Sequence, residues 1–312
     1  MKKSINDLLV CPVCLPEESG LEIHAVHEQG DDILEGHLSC PICSWIYPIL
    51  DGIAYLDPGH TPETGSGTKY EQPQTVASYL WSHFADLLAD PEASEAYAHW
   101  SGLIQPHSGL SLDIGASVGR FVFEMSAKCD LAIGMDNSVA FIKAARDLLV
   151  HGRKAFLLPV EGNLTKKVVL HASEHWNLDR AEFIVADAQA LPFSRKSFAS
   201  LASLNMLDKL SRPRVHLQEM NRLAWAQDAQ CIISDPFSWS EQAARQEHWL
   251  GGRDSGEFAG RGLDNVQALL QGKGGHLAPE WNIQVRNHVW WKLRTHVNHF
   301  ELIRSCYLKA VR

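Results

Sequence analysis

The chain has 312 residues, 45% of them apolar and 21% charged, and a formal net charge of −9. That length leaves room for two domains and a substantial core. The balance is that of an ordinary globular protein, and no apolar run reaches the length that spans a bilayer.

The acid excess sits at the amino-terminal end, where residues 1–58 hold Lys2 and Lys3 against ten acids. Such a segment repels phosphate backbones, so a nucleic-acid partner is disfavoured. Met1-Lys2-Lys3-Ser4 has no long apolar stretch behind it. No signal peptide is read, no membrane partner is expected, and the cytoplasm is the default location.

Four of the seven cysteines form two knuckles, Cys11-Pro12-Val13-Cys14 and Cys40-Pro41-Ile42-Cys43, with 25 residues between them. Each C-x-x-C turn aims two sulfurs at one point, and two turns complete a tetrahedral thiolate site of the kind that a structural zinc closes. A thioredoxin-type redox pair is the rival reading, but the doubled pair and the lack of a βαβ context speak against it. His24, His27 and His37 lie between the knuckles and are read as solvated. Beyond Cys43 the apolar residues alternate around Asp51-Gly52, which predicts a hairpin packed on the metal knuckles. Cys129, Cys231 and Cys306 fall in apolar surroundings and are read as buried and inert.

Residues 58–73 are rich in Gly, Pro, Ser and Thr and read as a linker. From Gln74 to about Leu103 the pattern is helical, with Leu80, Trp81, Phe84, Leu87 and Leu88 on one side. This helix either covers a ligand or simply packs on the core.

Residues 110–121, LSLDIGASVGRF, organise the remainder. An apolar strand enters a turn with Gly115 and Gly119, and a helix follows with Val118, Phe121, Val122 and Met125 at helical spacing. A strand, glycine turn and helix present backbone amides at the carboxyl edge of a parallel sheet. A dinucleotide site wants G-x-G-x-x-G, whereas Ser117 stands between these glycines and Asp113 ends the strand. A carboxylate there repels a pyrophosphate but suits an ammonium, which points to S-adenosylmethionine.

A second strand, 131–136, ends in Asp136, 23 residues beyond Asp113, an offset suited to accepting from two ribose hydroxyls. Asn137 follows, then a helix over 138–149. Residues 151–180 read as an irregular insertion. A third strand leads into Asp187 and Ala188, placed for the exocyclic amine and ring of adenine. The next strand ends at Asn205-Met206-Leu207-Asp208-Lys209-Leu210, where a transferred group would lie. A helix over 213–225 precedes a fifth strand ending at Asp235, and the runs 289–294 and 300–308 predict an antiparallel pair that closes the sheet.

These motifs resemble the class I S-adenosylmethionine-dependent methyltransferases over roughly 110–312: "DIGASVGRF", an acid after the second strand, "ADAQALPF" and "LNMLDKL" stand in that order. The resemblance implies that Asp113, Gly115, Ala116 and Gly119 hold the methionine moiety, Asp136 with Asn137 the ribose, Asp187 and Ala188 the adenine, and that Asn205 lies beside the cofactor. Residues 8–57, above all "YPILDGIAYL", resemble the small zinc-ribbon activator protein of tRNA and protein methyltransferases. A narrower resemblance, carried by "SVGRFVFEM", "EGNL", "SDPFSWSEQ" and "GLDNVQALL", is to the mercaptohistidine ring-nitrogen methyltransferase domain of ovothiol biosynthesis.

The expected fold is therefore α/β: a doubly wound, mostly parallel Rossmann-like methyltransferase sheet with an antiparallel C-terminal strand, preceded by a zinc ribbon. The expected division is 1–57 zinc ribbon, 58–73 linker and 74–312 methyltransferase domain. The expected reaction is methyl transfer from S-adenosylmethionine to nitrogen or sulfur of a small imidazole- or thiol-bearing acceptor. Asp208, Asp235 and His248 are the candidate catalytic residues, Trp239 and Trp249 candidate walls, and Arg261, Arg294, His288, His296 and His299 candidate anchors for a substrate carboxylate. Competing readings are an RNA or protein methyltransferase that docks substrate, or a protein partner, on the ribbon, and a non-catalytic adaptor.

Overall fold

The computed structural model describes residues 1–59 and 67–312. Residues 60–66 of the expected linker lie outside the described residues. The first strands are β1 (Glu22–Gln29), β2 (Asp32–Ser39), β3 (Ile46–Leu50) and β4 (Ile53–Leu56), an antiparallel meander in which β3 and β4 turn at Asp51-Gly52. Asp51 and Gly52 both have positive φ, 51° and 74°, as a two-residue hairpin turn requires.

The helical stretch read from Gln74 to Leu103 is two helices, α1 (Pro73–Phe84) and α2 (Ala96–Gly102). The break spans 85–95, where Ala89 takes a φ of 52° and Asp90-Pro91 follows, and the residue before a proline is pushed out of the helical region. Asp90 accepts from Trp81 Nε1 at 2.8 Å and from the Glu92 amide at 3.0 Å, which fixes the corner. Arg120, which opens α3 (Arg120–Ser126), ties that helix to the end of α1 through a bidentate pair with Asp86, at 2.7 and 2.8 Å, and a bond to the His83 carbonyl.

The remaining elements are β5 (Leu110–Ile114), α3 (Arg120–Ser126), β6 (Leu131–Asp136), α4 (Val139–His151), β7 (Arg153–Glu161), β8 (Leu164–His171), β9 (Ala181–Ala186), β10 (Phe198–Leu204), α5 (Pro213–Leu223), β11 (Gln230–Asp235), α6 (Gly262–Leu270), β12 (Asn282–His296) and β13 (His299–Val311). The segment read as irregular is instead the antiparallel hairpin β7–β8, turning at Gly162 with φ 54°. Its Leu158 packs with Trp81 of α1 and with Ala85, just past the end of that helix.

Eleven strands form one sheet in the order β1-β2-β3-β4-β9-β6-β5-β10-β11-β13-β12. From β4 to β11 the neighbours are parallel, and β13 and β12 close the edge antiparallel. The central strands bury both faces. On β9, Ile184 and Ala186 join the core under α5, α6 and the amino-terminal meander, while Phe183 and Val185 join the core under α1 to α4. The chain leaves β5 toward β6 and β9, then returns to β10 on its other side, so the crevice where ligands bind a doubly wound sheet lies beyond the carboxyl ends of β5 and β10.

The meander joins this sheet through β4, where Tyr55 and Leu56 pair with Val185 and Ala186. A buried ion network reinforces that seam. Arg146 of α4 pairs with Asp32 of β2 and, at 3.1 Å, with Glu182 of β9, which is fully buried. Removing one partner strands a buried charge. Arg146→Met is therefore expected to destabilise the protein by about 3 kcal/mol, measured as a shift of the denaturant midpoint.

Candidate active site

Four sulfurs converge at the tip of the meander. The Sγ atoms of Cys11, Cys14, Cys40 and Cys43 all lie within 4.8 Å of one another, with Cys11 to Cys43 at 3.6 Å and Cys14 to Cys40 at 3.7 Å. Tetrahedral zinc with bonds of about 2.3 Å spaces its sulfurs about 3.8 Å apart, so the set fits that ion. His24 stacks on His37 at 4.6 Å and donates to or accepts from Ser39, outside the cluster. Burial pushes the thiols of Cys129 and Cys231 up to about 12, so neither is a nucleophile at neutral pH.

At the switch point lies a cavity of about 340 Å³, lined in chain order by Gly115, Ser117, Asp136, Asn137, Asp187, Ala188 and Asn205, among others. The turn after β5 is held by the Gly115 and Ala116 amides, both donating to the Met135 carbonyl at 2.8 Å. Gly119 has φ 88°, and a Cβ there would stand 2.6 Å from the Phe183 ring, so only glycine fits. Ala116 and Gly119 thus shape the turn from behind, while Gly115 and Ser117 face the cavity. Ser117 adopts φ 51°, a strained conformation for a side-chain-bearing residue, and its amide donates to Asp136 at 2.9 Å.

Asp136 also accepts from the Ser138 amide at 2.9 Å and lines the cavity. Burial is the main cause that raises its carboxyl to about 6, against the opposing pull of those two amides. Asp113 is 3% exposed, and its Oδ1 has no partner. Burial, then the charge of Asp136, hold its carboxyl well above the usual range. An ammonium brought beside Asp113 would relieve both conditions. Asp187 accepts from the Gln189 amide at 2.9 Å, and Ala188 is steadied by His216, 3.0 Å from its carbonyl. Asn205 has φ 57°, and neither side-chain atom has a partner. Asp136, Asp187 and Asn205 line the cavity, whereas Asp113 is buried outside the lining, two residues before Gly115; acceptors for a diol and an adenine edge on the cavity, with a carboxyl close behind in the chain, fit S-adenosylmethionine.

The three expected catalytic residues stand elsewhere. Asp208 and Asp235 are 1% and 0% exposed and do not line the cavity. Asp235 accepts from the amides of Asp208 and Phe237, at 3.1 and 2.7 Å, and Asp208 accepts from the Ser238 amide at 2.6 Å. Burial and the neighbouring Asp208 push the Asp235 carboxyl well up. The two acids thereby fasten the loops after β10 and β11 to each other. His248 is exposed on a turn at 246–248, beside Glu247. Trp239 and Trp249 lie outside the lining, as do Arg261, Arg294, His288, His296 and His299, with Arg294 paired to Asp90 at 3.5 Å.

Sequence reasoning missed the aromatic part of the cavity lining. Tyr70, Tyr79, Tyr97, Phe141 and Trp291 form it. They come from the turn Lys69–Glu71, from α1, α2 and α4, and from β12. The Glu71 carboxylate accepts from the Val139 and Ala140 amides, 3.2 and 2.9 Å away, capping α4 and holding Tyr70 over the cavity. No local pattern joins these residues, because only packing brings five separate elements to one place.

Residues 112–225 match the methyltransferase domain family, and residues 2–52 match the family of Trm112p-like proteins. The chain carries a methyltransferase domain, and the residues of its cavity fit S-adenosylmethionine. It carries a Trm112p-like domain at its amino-terminal side, and the mostly parallel sheet with antiparallel last strands is the Rossmann-like arrangement of that domain family.

Among solved structures, the methyltransferase shows 13% identity to an S-adenosylmethionine-dependent methyltransferase from Aquifex aeolicus, covering 77% of this chain and 99% of that one, with a TM-score of 0.44. A complex between the Haloferax volcanii Trm112 methyltransferase activator and a putative methyltransferase gives 12% identity, 75% and 94% coverage and a TM-score of 0.44. The YcgJ protein of Bacillus subtilis gives 12%, 70%, 98% and 0.42. No curated protein is matched by the sequence. Among the described residues no helix is long and apolar enough to cross a membrane.

Proposed function

We propose that this methyltransferase alkylates a nitrogen or sulfur atom of a small acceptor, and that residues 1–57, joined through 58–73 to the catalytic domain at 74–312, act as an activator-like zinc ribbon fused in cis. The observation that carries the reading is the cavity itself, whose lining combines acceptors and donors for one cofactor with five aromatic rings. S-adenosylmethionine supplies a methyl on a sulfonium, already a good leaving group. The protein therefore acts mainly by alignment. Asp113 takes the ammonium with Gly115, Ala116 and Gly119 shaping the cradle, Asp136 and Asn137 orient the ribose, and Asp187 and Ala188 fix the adenine. Asn205 stands where the acceptor would enter. The rings exclude water from that region.

The resemblance to the mercaptohistidine ring-nitrogen methyltransferases favours an imidazole-bearing acceptor. A walled cavity favours a small acceptor over an RNA or protein segment. A protein partner would find Ile42, Trp45 and Ile46 exposed beside the metal knuckles, at 71%, 42% and 60%.

Calorimetric titration with S-adenosylhomocysteine tests the reading. One-to-one binding is expected, with an affinity that rises with pH through about 6 and then levels off, because burial keeps the Asp136 proton on below that value and only the carboxylate accepts from both ribose hydroxyls. No binding by the folded protein would refute the enzyme reading.

A further inference from the structure

We propose that Met206 is an oxidation site, and that its sulfoxide shuts the cofactor out of the cavity. This adds regulation to the reading above and rests on it, since the cavity must hold S-adenosylmethionine for its obstruction to matter. The chain has five methionines. Met1, Met125, Met135 and Met220 are buried, none more than 4% exposed. Met206 is only half-buried, and it lines the cavity. Met135 borders the cavity too, but at 0% exposure. Oxidation follows access, so an oxidant entering the cavity meets the Met206 thioether first.

Its place in the fold decides what oxidation does there. Met206 follows β10 by two residues, and its sulfur rests on the glycine turn after β5. A Cβ on Gly115 would stand 2.6 Å from Sδ and 3.4 Å from the terminal methyl carbon. A thioether tolerates that position because it is polarisable, largely apolar and asks for no hydrogen bond. A sulfoxide puts a strongly polar oxygen on the same sulfur. The Gly115 amide already donates to the Met135 carbonyl at 2.8 Å, and the Ala116 amide does the same. The turn thus has neither room nor a donor for the new oxygen, and burying it unpaired is costly. The side chain therefore leaves the turn for the cavity, where the cofactor has to lie.

Hydrogen peroxide is the oxidant. A lone pair on Sδ forms the bond to one peroxide oxygen as the O–O bond breaks. The departing hydroxide takes the proton from the transferred oxygen and leaves as water. Sulfur loses two electrons and peroxide gains them. A methionine sulfoxide reductase reverses the step: two thiols become a disulfide, and the sulfoxide oxygen leaves as water. Cysteine driven to the sulfinic acid is not restored by that enzyme, so reversal separates Met206 from the seven cysteines.

The test treats the zinc-loaded protein with hydrogen peroxide, maps its peptides by mass spectrometry and titrates it with S-adenosylhomocysteine. Sulfoxide is expected at Met206 ahead of the other four methionines, with an affinity loss of about tenfold. Methionine sulfoxide reductases for both epimers, with their dithiol donor, should restore the affinity, and the dithiol alone should not. Met206→Leu, an exchange that conserves volume, should keep its own starting affinity through the same treatment. If that variant does not fold, restoration by the reductases carries the test. An unoxidised Met206, a Met206 sulfoxide with unchanged affinity, or an equal loss in Met206→Leu would each overturn the proposal and leave the methyltransferase reading standing. Untreated, folded protein that does not bind S-adenosylhomocysteine would overturn both.

Discussion

Asp136→Ala is expected to weaken S-adenosylhomocysteine binding by roughly 10²–10³-fold, the worth of about two charge-assisted hydrogen bonds to ribose hydroxyls. The residue sits where three structures meet: it ends β6, accepts from the Ser117 amide of the glycine turn, and accepts from the Ser138 amide at the start of α4. Deleting the carboxylate therefore also leaves two amides without their acceptor. Asp136→Asn separates the two effects, since its amide oxygen can still receive one backbone bond while the charge is lost. The alanine variant should lose affinity and some rigidity of the turn, and the asparagine variant should lose chiefly affinity. Calorimetry reads the first, and amide hydrogen exchange across residues 115–119 reads the second. Unchanged affinity in both variants would show that the cavity holds its ligand in another orientation.

Cys40→Ser, or chelation of the bound metal, is expected to lower Tm by about 10 °C, a loss of at least about 4 kcal/mol. Cys11 and Cys40 are buried at 0% and 2% and belong to the same apolar core as Ile33, Leu38 and Tyr47 of the meander and Ile184 and Ala186 of β9. Zinc would thus close a core that is too small to hold alone and that continues into the catalytic sheet. Since β4 pairs with β9, whose end carries Asp187 and Ala188, the loss should also reduce S-adenosylhomocysteine affinity. Metal analysis should find one zinc per wild-type chain. A metal-free protein of unchanged Tm would show that the four thiols do not need the ion.

Much of this architecture was legible in the residues alone. The knuckles carried their own geometry, because C-x-x-C at two places leaves few uses for four sulfurs. Asp113, Gly115, Gly119 and Asp136 were legible because a strand, a turn with positive φ and a strand-end acid are local features, and their spacing in the chain maps onto neighbouring strands. The β7–β8 hairpin was not, although Gly162-Asn163 between two alternating runs is the signal that could have found it. The α1–α2 break had its sign in Asp90-Pro91, overridden by the apolar helical stripe on either side.

The catalytic guess shows a different limit. Asp208 and Asp235 stand at strand ends, as active-site acids do, yet their side chains turn to each other and to backbone amides, and no spacing rule distinguishes those directions. The aromatic wall is the extreme case. Tyr70, Tyr79, Tyr97, Phe141 and Trp291 span more than two hundred residues of chain and belong to five elements, each of which reads locally as ordinary core. The sequence by itself determined the glycine turn after β5, the acid that ends β6 and the metal knuckles, because each is set by a short run of backbone. Only the tertiary structure decided which rings line the cavity and that β4 extends the central sheet, because both depend on contacts between elements far apart in the chain.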